Sequence, residues 1–167
     1  GNVNLNKKLS VKKIPVKFKM VDGYFDISNN GLTSLDGCPK TVTGDFNCSR
    51  NSLTSLFEGP TEVGDFDCSF NQLKNLSYAP KEVKGNFDCS NNLIDSIKGM
   101  PRTIKGFFKC SSNKIATLKG GPKYVEASFD CSENLIERLI GGPVSVGQDY
   151  FCSKNNLTDL DGVADEI

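Results

Sequence analysis

The sequence predicts a solenoid of stacked parallel strands, and three observations carry that prediction. One motif recurs seven times in 167 residues, its clearest copy being Val83-Lys84-Gly85-Asn86-Phe87-Asp88-Cys89-Ser90-Asn91-Asn92. Aligned on the cysteine slot, the copies fall at Ile27, Cys48, Cys68, Cys89, Cys110, Cys131 and Cys152, in steps of 21, 20, 21, 21, 21 and 21 residues. A proline also returns at Pro39, Pro60, Pro80, Pro101, Pro122 and Pro143. A short, fixed period sustained over most of a chain marks units that bury their apolar faces by stacking on one another. Proline at that frequency excludes a helix on the return side and favours extended, polyproline-like backbone.

Within a copy, Phe87 and Cys89 alternate with Asn86, Asp88 and Ser90, which is the period of a half-buried strand. The aromatic recurs two residues before the slot, at Phe25, Phe46, Phe66, Phe108, Phe129 and Tyr150. Leucine pairs such as Leu32/Leu35, Leu53/Leu56, Leu73/Leu76 and Leu157/Leu160 then turn the chain back across the core. Glycine four residues before the slot (Gly23, Gly44, Gly64, Gly85, Gly106) is expected to relax the entry to the strand.

Three residues after the slot stand Asn30, Asn51, Asn71, Asn92, Asn113, Asn134 and Asn155, without exception. An amide carries both donors and an acceptor, so a stack of inward asparagines can satisfy the backbone where each coil leaves its strand. The row Ser28, Ser49, Ser69, Ser90, Ser111, Ser132 and Ser153 is equally regular. It is assigned to hydrogen bonding at the turn rather than to a ligand stripe. The six in-register cysteines are expected to form a ladder of small buried hydrophobes, because in-register strands point their Cβ vectors the same way and disfavour a disulfide. Cys38, before Pro39, is expected to be a partly exposed free thiol.

With these residues in view, the pattern F-x-C-S-x-N-x-L-x-x-L resembles the core of leucine-rich repeats, with Phe and Cys in the first two leucine positions. The prolines and the 20-residue copy are similar to the short bacterial repeats of type III secreted effectors, and the wider motif resembles phage-encoded repeat proteins. The resemblance covers about residues 9–163. It implies a leucine-rich repeat solenoid: a right-handed horseshoe of parallel β-strands with an extended convex side and little or no helix, conventionally grouped with the α/β repeat folds. It transfers no catalytic residue, and the effectors' ubiquitin-ligase domain has no room in this chain. The expected organisation is a basic cap and partial repeat over residues 1–21, seven repeats over 22–163, and an end at 164–167 where the native chain is expected to continue or to be covered by a partner or another copy.

Composition narrows the function classes. Twenty basic and twenty acidic residues leave no net charge, and histidine is absent, which removes the commonest acid–base group and metal ligand. No nucleophile elbow, phosphate loop or C-x-x-C pair is present, so neither an enzyme nor a zinc site is expected, and no cofactor is called for. Stacked aspartates raise the question of calcium, but Asn47 and Lys109 interrupt the column, and no metal is expected. No stretch approaches the roughly 18 apolar residues of a membrane span. The unbridged thiols fit a reducing, cytoplasmic compartment, or a host cytosol if the chain is delivered by phage or secretion.

Function is then sought where the copies differ. In the resembled family the strands line a concave face, and its outward positions lie three and one residues before the slot, and one, two and four after. Three of these columns hold eight acidic residues (Asp26, Asp45, Asp65, Asp67, Asp88, Asp130, Glu133, Asp149) against Arg50, Lys109 and Lys154. Such a face attracts a basic protein or peptide segment and repels nucleic acid. The alternative is that the aspartates only keep the sheet soluble. Tyr24, Phe70, Phe107 and Phe151 interrupt the polar pattern as candidate anchors, with Asp67, Asp88 and Asp130 as electrostatic guides. A one-residue shift of phase would instead bury Phe107 or Phe151.

The leading expectation is therefore a non-catalytic protein-binding module acting through its concave face. The alternatives are a structural component of a larger particle, or nucleic-acid contact through the basic cap of Lys7, Lys8, Lys12, Lys13, Lys17 and Lys19. The acidic end (Asp159, Asp161, Asp165, Glu166) opposite that cap also favours weak head-to-tail association.

Overall fold

The computed structural model describes all residues from Gly1 to Ile167. Alternating side chains place one aromatic and one small residue of each copy inward, and stacking the copies puts these in register. The result is a parallel sheet of eight two-residue strands: Val3–Asn4, Phe25–Asp26, Phe46–Asn47, Phe66–Asp67, Phe87–Asp88, Phe108–Lys109, Phe129–Asp130 and Tyr150–Phe151. There is no helix. The return side carries short parallel bridges of its own, Met20–Val21 through Glu82–Val83 in one sheet and Thr103–Ile104 through Ser145–Val146 in another.

Between the two sides lies one core of 35 buried apolar residues. Its spine is a ladder of phenylalanines paired Phe25 to Phe46 to Phe66 to Phe87 to Phe108 to Phe129, with Tyr150 at the end. Successive ring centroids are 5.0–5.8 Å apart. Each fully buried phenylalanine is worth about 1.5–3 kcal/mol of transfer free energy. The 20-residue copy keeps this register because it loses its residue at the corner: three positions separate Val63 from Phe66, where Val83 and Phe87 are four apart. At the other end Val3–Asn4 pairs with Phe25–Asp26, so chain ahead of Leu9 also adds a strand to the sheet.

The asparagines tie consecutive coils. Asn92 Nδ2 donates to the carbonyls of Cys89 and Ser90 in its own coil and of Cys68 in the coil before, at 3.1–3.2 Å. Its Oδ1 accepts the N–H of Leu73, 3.0 Å away in the preceding coil. Asn51, Asn71, Asn113, Asn134 and Asn155 repeat the same four contacts. Asn30 makes the equivalent bonds to the cap, donating to Leu5 and accepting from Lys8 and Leu9.

Two turn positions are left-handed in every copy. The residue two after the slot has φ between 51° and 58° at Asn29, Arg50, Phe70, Asn91, Ser112, Glu133 and Lys154. The residue ten after it is Gly37, Gly99, Gly120, Gly141 or Gly162 in five copies, but Glu58 and Tyr78 in the other two, both at φ 68°. A side chain there strains the backbone by about 1–2 kcal/mol.

Three expectations need correction. Cys38 is buried, 6% exposed, and its thiol pKa is pushed up by burial. It fills the tight position that Gly59, Ala79, Gly121 and Gly142 hold in other copies. The serine position, expected to face outward, is buried at Ser28, Ser49, Ser69, Ser90 and Ser111, and at the first four of these the side chain two residues before (Asp26, Asn47, Asp67, Asp88) folds over the turn to accept the serine N–H. The glycines before the strands, Gly23 excepted, have ordinary φ and serve close approach instead: a Cβ on Gly85 would lie 2.0 Å from Asp65 Oδ1.

Asn113→Ala strips donors from three carbonyls and an acceptor from Ile94 N–H, and is expected to cost on the order of 3 kcal/mol in urea denaturation. A Cβ at Gly99 meets nothing within 4 Å, so Gly99→Ala isolates backbone strain. It is expected to cost about 1 kcal/mol, whereas Glu58→Gly is expected to raise the melting temperature.

Candidate binding face

The outward positions of the strand sheet are built on two further ladders. In the column before the slot, Asp67, Asp88 and Asp130 each accept the N–H of the serine two residues on, at 2.9 Å. Asn47 does the same for Ser49 at 3.0 Å, so an amide serves this turn as well as a carboxylate. Each aspartate thus spends one oxygen on its own turn and keeps a fixed orientation, with the rest of its charge facing out.

The column three before the slot links neighbouring coils. Asp65 N–H donates to Asp45 Oδ1, Asn86 N–H to Asp65 Oδ1 and Phe107 N–H to Asn86 Oδ1, at 2.8–2.9 Å. Phe107 has no side-chain acceptor to pass on, and the following coil carries Ala127 where its predecessors need glycine. The ladder therefore stops where an aromatic takes its place.

That interruption opens the main depression of the face. Phe107 and Phe151 point outward, 36% and 49% exposed, while their neighbours Phe108 and Tyr150 point into the core. The two rings flank a shallow cavity of about 340 Å³ with Ala127 and Ser128 between them and Asp88, Lys109 and Asp130 along its side. Lys109 is in register with Asp88 on one side and Asp130 on the other. An adjoining depression, sharing Asp88 and Phe107, is lined by Asp45, Asp65 and Asp67. Burial holds the Asp88 carboxyl above the usual aspartate range; Ser90 opposes this, Asp67 adds to it, and Lys109 opposes it more weakly. Glu133 is held low by Lys154 and Ser112.

The structure thus gathers Phe107, Phe151, Asp88 and Asp130 around one cavity, with Asp67 in the next. Phe70 stands apart on the left-handed turn, where the Arg50 guanidinium lies 4.1 Å from its ring centre. Tyr24 is near the cap, its N–H donating to Asn2 Oδ1 at 3.1 Å.

Sequence reasoning missed a further aromatic pair. Phe57 and Tyr78 are 56% and 65% exposed and meet edge to face at 5.2 Å on the turn after the strand. In the sequence, Tyr78 stands where five copies carry glycine, and Phe57 is the one aromatic at the position before it, where the other copies have Asp36, Ser77, Lys98, Lys119, Ile140 and Asp161. As for chemistry, all seven thiols are unbridged, and burial raises the pKa of the stacked ones, which leaves them poor nucleophiles. No helix is long and apolar enough to cross a membrane.

No family model matches the chain, and no curated protein matches it. Among solved structures it is similar to YopM from Yersinia enterocolitica WA-314, with a TM-score of 0.72 over 86% of this chain at 22% identity. The chain spans 31% of the YopM chain. At that identity the likeness is one of fold. Together with the 21-residue period, the parallel strand sheet and the helix-free return side, it shows the fold to be that of a leucine-rich repeat solenoid.

Proposed function

We propose that the protein is a non-catalytic binding module that holds a basic protein segment on its strand face. Phe107 and Phe151 serve as apolar anchors, while Asp67, Asp88 and Asp130 orient the cationic groups of the partner. The observation that carries this reading is the pair of outward rings flanking a cavity floored by small side chains and edged by carboxylates. Aromatic anchors in a rigid polar surround are the usual energetic centre of an interface. Unlike-charge complementarity adds on-rate and selectivity rather than most of the affinity.

The reading is tested with a short fluorescein-labelled peptide of alternating lysine and leucine, followed by anisotropy. Replacing Phe107 and Phe151 together by serine is expected to weaken binding at least about tenfold while leaving the melting curve nearly unchanged. Unchanged affinity in a folded double variant contradicts the anchor assignment.

Acidity supplies a second test, because the Asp88 pKa is raised. As pH falls through that value Asp88 loses its charge, so peptide binding is expected to weaken from a higher pH than an ordinary aspartate would give. Stability runs the opposite way. A raised carboxyl contributes stability that is present below its unfolded pKa and lost as pH rises through the folded one. Asp88→Asn is therefore expected to be no less stable than the parent at neutral pH and to lose this step in the binding profile, as titrations across the acidic range would show.

A further inference from the structure

The return side of the solenoid carries the opposite charge from its strand face. In three successive coils, residues 81–84, 102–105 and 123–126 hold five cations (Lys81, Lys84, Arg102, Lys105, Lys123) and two acids (Glu82, Glu126). All five cations except Lys123 are exposed. The guanidinium of Arg102 lies 5.6 Å from the exposed ring of Tyr124. Because the chain as a whole is neutral, the acids counted on the strand face and the cations here amount to a separation of charge across the solenoid.

At this patch the backbone is also open. Along the return side, Lys84 N–H donates to Val63 O, Glu126 N–H to Ile104 O and Gly147 N–H to Val125 O, at 2.9–3.1 Å. The equivalent bond from Lys105 N–H to Val83 O is not made, and the two return sheets are separate on either side of it. Met100 is buried at the turn leading into this strand, where the coils before and after carry the smaller Ala79 and Gly121. The opening is a cleft of about 380 Å³ edged by Lys81, Lys84 and Lys105, and it shares Thr103 and Lys105 with a second cleft reaching Tyr124.

We propose that this cleft is a second docking surface, and that its occupant is an acidic peptide segment. Carboxylates of the segment pair with Lys81, Arg102 and Lys105, and its extended backbone meets the free Lys105 N–H. Glu82 lies inside the patch, while Glu62 pairs with Lys84 and Glu126 with Lys105. Those carboxylates disfavour a continuous phosphate backbone, whereas a peptide with spaced acids can thread between them. The proposal is independent of the strand-face reading, since the two surfaces lie on opposite sides of the core and take oppositely charged partners.

The experiment uses the full chain and a short fluorescein-labelled peptide of alternating aspartate and serine, with oligothymidine as competitor. Anisotropy is expected to show binding that weakens with salt, and amide NMR to show the Lys105 N–H shifting on titration. Lys81→Glu combined with Arg102→Glu is expected to lower affinity at least about tenfold, whereas the strand-face variant Asp88→Asn leaves it unchanged. Absence of binding by the parent, undiminished binding by the folded double variant, or a still Lys105 amide overturns the proposal. Displacement of the peptide by oligothymidine at lower concentration overturns it in favour of nucleic acid. Failure of the lysine–leucine peptide on the other face would leave these outcomes unaffected.

Discussion

An asparagine side chain at the exit of seven of the eight strands binds carbonyls of two coils and an amide of the coil before it, and the rest of the molecule is arranged around that rung. Two-residue strands are too short to define a register by their own ladder bonds. The chain must also bend sharply after each strand, which leaves the carbonyl of the slot residue without a main-chain partner, while the carbonyl of the serine after it accepts only one N–H, from the coil before. One amide meets both needs, because it offers two donors and an acceptor from a single planar group. Buried backbone groups left without it would each cost about 1–3 kcal/mol. Once the rungs fix the spacing, the phenylalanine, cysteine and leucine columns stack without slipping, and the core follows.

The same economy shapes the strand face. Its carboxylates are not free decoration: those before the slot cap their own turns, and those three before it hold the next coil. A face built this way is rigid, and its charge is a by-product of its scaffold as much as a signal to a partner. The informative positions are those where the ladder is given up. Phe107 ends one chain of bonds and frees the next coil to carry Ala127, and the space so made lies between two outward rings. Lys109 likewise replaces a turn-capping aspartate and places a cation between Asp88 and Asp130. The return side follows a similar logic, since its ladder is interrupted between Val83 and Ile104 and Lys105 N–H is left open beside a group of cations.

The period, the inward columns and the asparagine row were legible in the sequence because a fixed spacing assigns one environment to each position, and seven copies repeat the assignment. What resisted reading was interaction between columns. A serine at an alternating outward position is buried, and at four of the five buried copies the side chain two residues earlier folds over it. The glycines before the strands, Gly23 apart, look like torsional relief, yet Gly85 is required by an oxygen belonging to the coil before. Cys38 resembles an exposed turn residue until one sees that its position is occupied by Gly59, Ala79 or Gly121 elsewhere. Phe57 and Tyr78 differ from their siblings in the sequence, but only the fold brings the two rings together. Tyr24 and Phe70 share the outward pattern of Phe107 and Phe151 without sharing their cavity, since column identity says nothing about which coils lie side by side at a depression.

Native-state hydrogen exchange tests the central claim most directly, because the amides that donate to the asparagine oxygens lie outside any strand. The N–H groups of Leu53, Leu73, Ile94, Ile115 and Ile136 are expected to exchange as slowly as the strand-side amides of Cys68, Cys89 and Cys110. The open amide of Lys105 should exchange far faster than either group. Exchange of the five asparagine-bound amides at the Lys105 rate would contradict the account, for it would mean that the rungs do not hold the coils together.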